Sequence, residues 1–584
     1  MNGTSTTTTL PFWLIILCLL ITLVGVADHD LWTPDEPREA AIMLSMSRTG
    51  NLLIPDLAGE PFVEKPPLYY IVGAGALRLL GSLLGPTAAL RLTSALWGLL
   101  TLAATWLLAR RLLGRAQAAL AVVLLATLPG FIHVSHWLLV DNALLFFVTG
   151  ALWCLAEAYL GLRLWFLPWA AVFAGAAFLS KGFIGPLIIL PGCLALMFSW
   201  ARQEALPRLV KPASPRLGVA SRRRAALWRS TASGAWVGWH GLALLIFLVL
   251  MLSWLLALRQ VGGPVLWHEW FWTNHMGRFL GQARQLGHQQ APWYYLKIIP
   301  VYLLPWLAVI VLSVKNLLVS LGRRQMTPAD RVLVAWALGG LLLLSLSATK
   351  REIYIAVLLP AFAMIGAEVL KAPLGRLLHN VLWIWVGCML GGLLVLTISP
   401  LLGSQIQQLT GGWGWRQAGA ALTALLVGTV FFLTRGTFLQ RVLAATACFY
   451  IGGMANLFPM LDRGKSYGGA FREMAESIAA VPSARLVGWQ LDETTRAGFY
   501  YYCDLVFPSL SDINALNSVL ARRHEEFNGV LTLERNFPPK ADAPMEGPPE
   551  SAALPPWRVR QEVRMGPRRV VRWIEGAGVA KPPD

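Results

Sequence analysis

About thirteen apolar runs, each long enough to cross a bilayer as a helix, alternate with short polar segments between residues 10 and 460. No soluble globule buries that much apolar chain: 56% of the 584 residues are hydrophobic and only 14% are charged. The expected fold class is therefore an all-α polytopic membrane protein. The runs lie at 10–27, 88–109, 116–133, 143–161, 164–180, 183–200, 236–260, 294–320, 332–349, 353–370, 379–399, 417–434 and 442–460. The first follows a Thr-rich segment without positive charge and lacks a small-residue cleavage pattern before Asp28, so it reads as a retained span rather than a signal peptide.

Net charge is +18, and its placement says more than its size. Basic residues fall in blocks between apolar runs: Arg110, Arg111 and Arg115; Arg202 to Arg229; Arg323, Arg324 and Arg331; Lys371 and Arg376; Arg435 and Arg441. The positive-inside rule assigns these blocks to the cytoplasm, so the surplus follows from topology and nucleic acid is not an expected partner. With the apolar run 66–81 read as a helix lying along or dipping into the outer surface, the N-terminus is cytoplasmic. Segments 28–87, 134–142, 181–182, 261–293, 350–352 and 400–416, and everything after Leu461, then face outward. The expected domains are 1–461, a membrane domain with an outer first loop at 28–87, and 462–584, a soluble tail.

The tail alternates elements and reads as a small α/β domain. Helices are expected at 471–480, 493–502 and 512–524, and strands at 485–489, 505–507 and 529–533. A Pro-rich linker at 537–556 and a hairpin at 559–574, turning at Met565-Gly566-Pro567, complete it. It carries no Gly-rich phosphate loop or nucleophile motif, which favours an accessory or substrate-gating role. The six cysteines show neither close pairing nor metal-ligand spacing.

The outward segments hold the polar residues that suit chemistry. Asp35, in Thr33-Pro-Asp-Glu-Pro-Arg38, is the candidate base, with Glu36 beside it and Arg38 placed to keep a carboxylate ionised; helix capping by the same acids is the structural alternative. Lys65 follows Glu64 at the membrane edge, where a phosphate diester is a natural partner and a snorkelling lysine the plain alternative. Lys350, Arg351 and Tyr354 follow a span end and offer two cations and a phenol to one anion. Asp141 supplies a second acid, with capping of the next helix as its rival role. Arg278, with Asn274, sits in an aromatic segment from Trp267 to Tyr295 that also carries Arg284 and serves as an interfacial belt or a sugar and phosphate cleft. Lys65, Lys181, Arg278, Arg284, Lys350 and Arg351 are cations on the side the positive-inside rule disfavours, as an anion site there requires. His133, His136, His268, His275 and His288 are also outward, but no metal motif joins them: no cofactor is demanded, and a divalent metal is compatible without being required.

These motifs resemble a known family. Pro34-Asp-Glu-Pro-Arg38, Gly50-Asn-Leu-Leu-Ile-Pro55, Glu64-Lys-Pro-Pro-Leu68, Asp141, Ser180-Lys-Gly182, Asn274 and Arg278 before Trp293-Tyr-Tyr295, and Lys350-Arg351 with Tyr354, in this order, are similar to bacterial glycosyltransferases of the protein mannosyltransferase-like superfamily. Lipid A aminoarabinose transferases are the nearest likeness, over essentially the whole chain. The resemblance implies a GT-C fold with about thirteen spans and a periplasmic α/β tail in a bacterial inner membrane. It also implies inverting transfer from an undecaprenyl-phosphate sugar donor to a periplasmic acceptor such as lipid A, another glycan or a protein, by a monomer. Asp35 becomes the central acid; Lys65, Arg38 and Tyr354 hold the donor phosphate; Glu64 and Asp141 shape the sugar pocket. Glu39 departs from the pattern, standing where these enzymes often carry Tyr. A transporter or flippase of a lipid-linked sugar is the alternative, and it predicts midplane charges and an internal repeat, neither of which the sequence displays.

Overall fold

The computed structural model describes residues 12–209, 218–282, 289–323, 325–371, 374–403, 414–537, 554–566 and 569–577. Arg284 and His288, and most of the Pro-rich linker, lie outside the described residues. Two compact units emerge, and they do not follow chain order. The first comprises Met1–Val26, Val63–Val72 and Arg91–Leu457; the second comprises Ala27–Phe62, Gly73–Leu90 and Phe458–Asp584.

The first unit is a helical membrane bundle, and the chain is a multi-pass membrane protein. Among the described residues, ten helices are long and apolar enough to span, and up to twelve if two bent pairs each count as one. Every expected span has an apolar helix in its place, but three are not single long helices. Phe12–Ile21 is short as described, while 116–133 and 294–320 are broken. Arg115–Ala126 and Pro129–His136 meet at 68°, because Pro129 has no N–H to continue the ladder. At this break Thr127 Oγ1 donates to the Val123 carbonyl at 2.7 Å and accepts from Trp306 Nε1 at 2.8 Å, so the opened turn is partly satisfied within the bundle. Pro305 interrupts the second pair between Tyr294–Tyr302 and Leu307–Gly322. The run 66–81 becomes the apolar helix Leu68–Leu84. Small residues set the closest approaches: a Cβ on Gly175 would lie 2.7 Å from a Leu250 methyl, so the helices at 167–181 and 218–261 touch almost backbone to side chain.

The second unit joins the first-loop segments and the tail around a five-stranded sheet. Helix Glu36–Thr49 begins with Pro37 in its first turn and stops at Gly50, whose φ of +72° only glycine adopts without strain. A two-stranded hairpin, β1 (Asp56–Leu57) and β2 (Glu60–Pro61), follows. The tail provides β3 (Leu486–Trp489), β4 (Ser509–Leu510), β5 (Gly529–Leu533), β6 (Trp557–Met565) and β7 (Arg569–Gly576), in the order β4-β3-β5-β7-β6. β4, β3 and β5 run parallel, and β7 and β6 antiparallel. Phe471, Met474, Phe499 and Trp573 pack on one face, and Val487, Trp489, Leu516 and Ile574 on the other.

The tail differs from expectation in two details. The strand expected at 505–507 forms at Ser509–Leu510, after Pro508, and the helix expected at 512–524 stops at Leu520. Asp512 caps that helix through Asn514 and Ala515, and Arg522 takes a positive φ two residues beyond its end.

Candidate active site

In the membrane unit, seven polar residues from five distant stretches meet. Lys65 Nζ lies 4.0 Å from Glu64 Oε1, which also takes Arg278 Nη1 at 3.1 Å. Asp141, whose carboxylate was weighed as a helix cap, instead bonds Lys181 Nζ at 2.5 Å. That ammonium lies 4.2 Å from the centre of the Tyr354 ring, a cation–π contact. Lys65 and Arg351 are near enough to act electrostatically on Lys181, and Arg351, Glu64, Asp141 and Arg278 on Tyr354. Among the described residues, four cations thus gather with Glu64 and Asp141 in an apolar bundle, with Glu352 next to Arg351. Cations gathered in apolar surroundings favour an added anion.

The segment that carries Arg278 has an unusual backbone. Glu269–Gly277 is a wide π-helix, a rare form that often accompanies functional sites. Its pitch lets Asn274 Nδ2 donate to the Glu269 carbonyl at 3.2 Å and His275 Nδ1 pair with the Trp270 carbonyl at 2.7 Å, each five residues back. Asn274, expected to line a sugar pocket, thus uses its amide nitrogen on its own helix. Burial holds the His275 imidazole below its ordinary protonation range, against the opposing pull of the Trp270 carbonyl. Gly182 approaches from the lysine side: its φ is +70°, and a Cβ there would stand 2.3 Å from His275 Nε2.

Lys350 has backbone partners rather than the open anion site expected. Its ammonium donates to the Gln290 carbonyl at 3.0 Å and to the Ser347 carbonyl, and the residue is buried at 2% exposure. Burial pushes it below the usual lysine range. It ties two backbone segments together, and two of its three donors are engaged, which argues against a phosphate clamp.

In the second unit, Asp35 starts helix Glu36–Thr49 but makes no side-chain cap. Its Oδ1 accepts from Arg38 Nη2 at 3.2 Å. Arg38 also donates from Nη1 to Glu493 at 2.8 Å, lies 3.7 Å from Glu39, and stacks over Phe62 at 5.7 Å. Expected on the phosphate, this guanidinium is found among three carboxylates. Glu36, expected to share the chemistry, is fully buried and accepts from Trp32 N at 2.5 Å, which makes it the acid that closes the turn. Its neighbours fix the turn further. Trp32 Nε1 donates to Asp462 at 3.0 Å, Tyr502 Oη to Asp30 at 2.7 Å, and Thr494 Oγ1 to the Pro34 carbonyl at 3.1 Å.

Sequence reading placed Lys181 among the outward cations of an anion site but could not find its partners, Asp141 and the Tyr354 ring. Glu493 and Thr494 could not be found from sequence, since an ordinary first helical turn looks the same. Among the described residues, no group of three or more His, Cys, Asp or Glu could hold a metal ion. His136 is buried and paired with the carbonyls of Ile132 and Val24, and His133 with the Tyr302 hydroxyl.

Residues 64–210 match the family model for dolichyl-phosphate-mannose-protein mannosyltransferase. The chain is 29% identical over 403 residues to the undecaprenyl phosphate-alpha-4-amino-4-deoxy-L-arabinose arabinosyl transferase of Pseudomonas aeruginosa strain LESB58, covering 68% of this chain and 65% of the relative. The same-named protein of Shewanella sediminis is 28% identical over 60% of this chain and 58% of its own length. The match thus spans somewhat under two thirds of these curated relatives. The crystal structure of ArnT from Cupriavidus metallidurans bound to undecaprenyl phosphate superposes with a TM-score of 0.68 at 19% identity, over 98% of this chain and 99% of that one. The fold is shared across the whole chain, and the paired cations and acids occupy the segments that the resemblance singled out. The chain therefore shares its fold with that structure, and residues 64–210 are similar to the mannosyltransferase family.

Proposed function

We propose that the chain is an inverting glycosyltransferase that moves a sugar from a polyprenyl phosphate to a periplasmic acceptor, with 4-amino-4-deoxy-L-arabinose and lipid A as the first pair to test. The observation that carries this reading is the gathering of four cations, Lys65, Lys181, Arg278 and Arg351, around Tyr354 inside the membrane bundle. A polyprenyl phosphate is an anion on an apolar tail and complements it. Lys65, Arg278 and Arg351 hold the phosphate, Tyr354 and Lys181 frame it, and Glu64 and Asp141 fix those cations and face the sugar. An acceptor oxygen attacks the anomeric carbon as the carbon–oxygen bond to phosphate breaks; polyprenyl phosphate leaves, its charge met by the cations. Where the acceptor is a hydroxyl, a carboxylate takes its proton, and Asp35, ion-paired with Arg38 at 3.2 Å, is the candidate base.

The same proposal places the chain in a Gram-negative inner membrane as a monomer, with cytoplasmic N-terminus and periplasmic residues 462–584. The basic blocks between spans support this. Purified protein, given undecaprenyl-phosphate aminoarabinose and lipid A in vesicles, is expected to yield lipid A heavier by one aminoarabinosyl unit in mass spectrometry. No product from that donor or from other polyprenyl-phosphate sugars sinks the reading.

A further inference from the structure

The carboxylate proposed as base is held by a device that spans the sequence from first loop to tail. Helix Glu493–Cys503 lies against helix Glu36–Thr49, and its first turn reaches the segment before Arg38 at two points: Glu493 takes Arg38 Nη1 at 2.8 Å, and Thr494 donates to the Pro34 carbonyl at 3.1 Å. Arg38 is thereby divided, one terminal nitrogen on Glu493 and the other on Asp35. Further along, Arg48 pairs with Asp504, and Arg496 pairs with Glu60 of the β1–β2 hairpin while Ser509 donates to the same carboxylate at 2.6 Å. Asp492, the cap of the tail helix, holds Thr495 and binds Arg535 at 3.0 Å and Arg569 at 3.1 Å, so the helix start is anchored to the sheet.

We propose that Glu493 is a positioning residue for the transfer reaction: it shares Arg38 with Asp35 and so sets both the place and the basicity of the Asp35 carboxylate. This rests on the reading of Asp35 as the base. The charged groups facing Arg38 include Asp35 and Glu39 on its own helix and Glu493 on the tail helix; the hairpin side offers the Phe62 ring. Arg496, Glu60, Arg48 and Asp504 are occupied with one another, and Asp56 receives the Ser45 hydroxyl at 3.0 Å.

Removing the Glu493 charge takes away one competitor for Arg38 and a negative charge near Asp35, which stabilises the ionised Asp35 carboxylate and weakens it as a base. Glu493→Gln in the full chain is therefore expected to move the acid limb of the kcat profile down by about one pH unit, a tenfold change in proton affinity. The plateau is expected to fall roughly three- to tenfold, with donor KM unchanged. Glu493→Asp, which keeps the charge, is expected to restore the limb toward wild type. A profile that stays in place, or a loss equal at every pH that both variants share, overturns the proposal. Wild-type turnover is the control: if wild type transfers no sugar, the functional reading has failed rather than the role of Glu493.

Discussion

Two lysines that look alike in sequence meet different surroundings in the structure. Lys65 and Lys350 both stand at a span end beside another charge, and both read as phosphate ligands. Lys350 is buried against two carbonyls, whereas Lys65 sits at 4.0 Å from a carboxylate that already holds Arg278. Lys65→Ala should therefore weaken donor binding by roughly ten- to a hundredfold, the scale of a lost charge-assisted bond, without altering the melting temperature much. Lys350→Met should do the reverse, destabilising the chain by about 1–3 kcal/mol through two unmet carbonyls and leaving donor affinity of the folded fraction unchanged. Donor titration and thermal unfolding of both variants in detergent decide it; a Lys350 variant that folds normally but fails to bind donor returns that lysine to the phosphate site. The charges themselves were legible, because an acid or base beside a membrane is rare enough to need a reason. Which of them turns inward to backbone was not, since that depends on where distant carbonyls such as Gln290 arrive. Glu36 is a similar case: an acid one position from Asp35 closes the turn through Trp32 N, and only the folded turn distinguishes them.

At the scale of elements, the π-helix Glu269–Gly277 and the Ser180-Lys-Gly182 corner behave as one joint. The wide helix sets His275 on the Trp270 carbonyl, and Gly182, at a positive φ, leaves room for the imidazole. Gly182→Ala adds a methyl at 2.3 Å from Nε2 in a backbone region that alanine resists, so a destabilisation of about 1–3 kcal/mol is expected. Lys181 would shift with it. A variant of unchanged melting temperature would show that the corner can yield. The same joint gives a pH response. Burial holds the His275 pKa below its ordinary 6.5, so the stability from the neutral ring is complete above that value and is lost as pH falls through it toward the folded-state pKa. Thermal unfolding should weaken between about pH 7 and pH 5, and less so in His275→Gln, where nothing titrates. Equal weakening in both would place the titrating group elsewhere. Sequence periodicity located the helices of the bundle because apolar length alone specifies a span. It could not show the π-form, nor that 116–133 and 294–320 break at Pro129 and Pro305, since many membrane helices carry proline without bending so far. In the tail, β4 slipped to Ser509–Leu510 because two residues beside a parallel neighbour suffice for pairing, leaving little pattern to read.

At the scale of the whole molecule, the division of the chain bears on what its tail is for. Composition changes sharply near residue 462, and the natural reading of such a change is an appended domain. Yet Ala27–Phe62 and Gly73–Leu90 cluster with Phe458–Asp584. Sequence could not reveal this, because contacts separated by more than four hundred residues leave no local trace. The first-loop segment that carries Asp35 draws many of its contacts from the tail: Asp30 meets Ser466 and Tyr502, Trp32 Asp462, Arg38 Glu493, and Glu60 Arg496 and Ser509. Removing residues from Asp462 onward takes away every one of these tail groups while leaving Lys65, Lys181, Arg278, Arg351 and Tyr354 in the membrane unit. Such a truncated chain should still insert and retain donor binding through the cations, but should lose sugar transfer by at least about a hundredfold, the scale expected when a reacting group is misplaced by an ångström or more. Measuring donor binding and turnover on the same membranes separates the outcomes. Loss of both would mean that the bundle itself collapses without the tail, and transfer at near wild-type rate would mean that the first loop keeps Asp35 in place unaided.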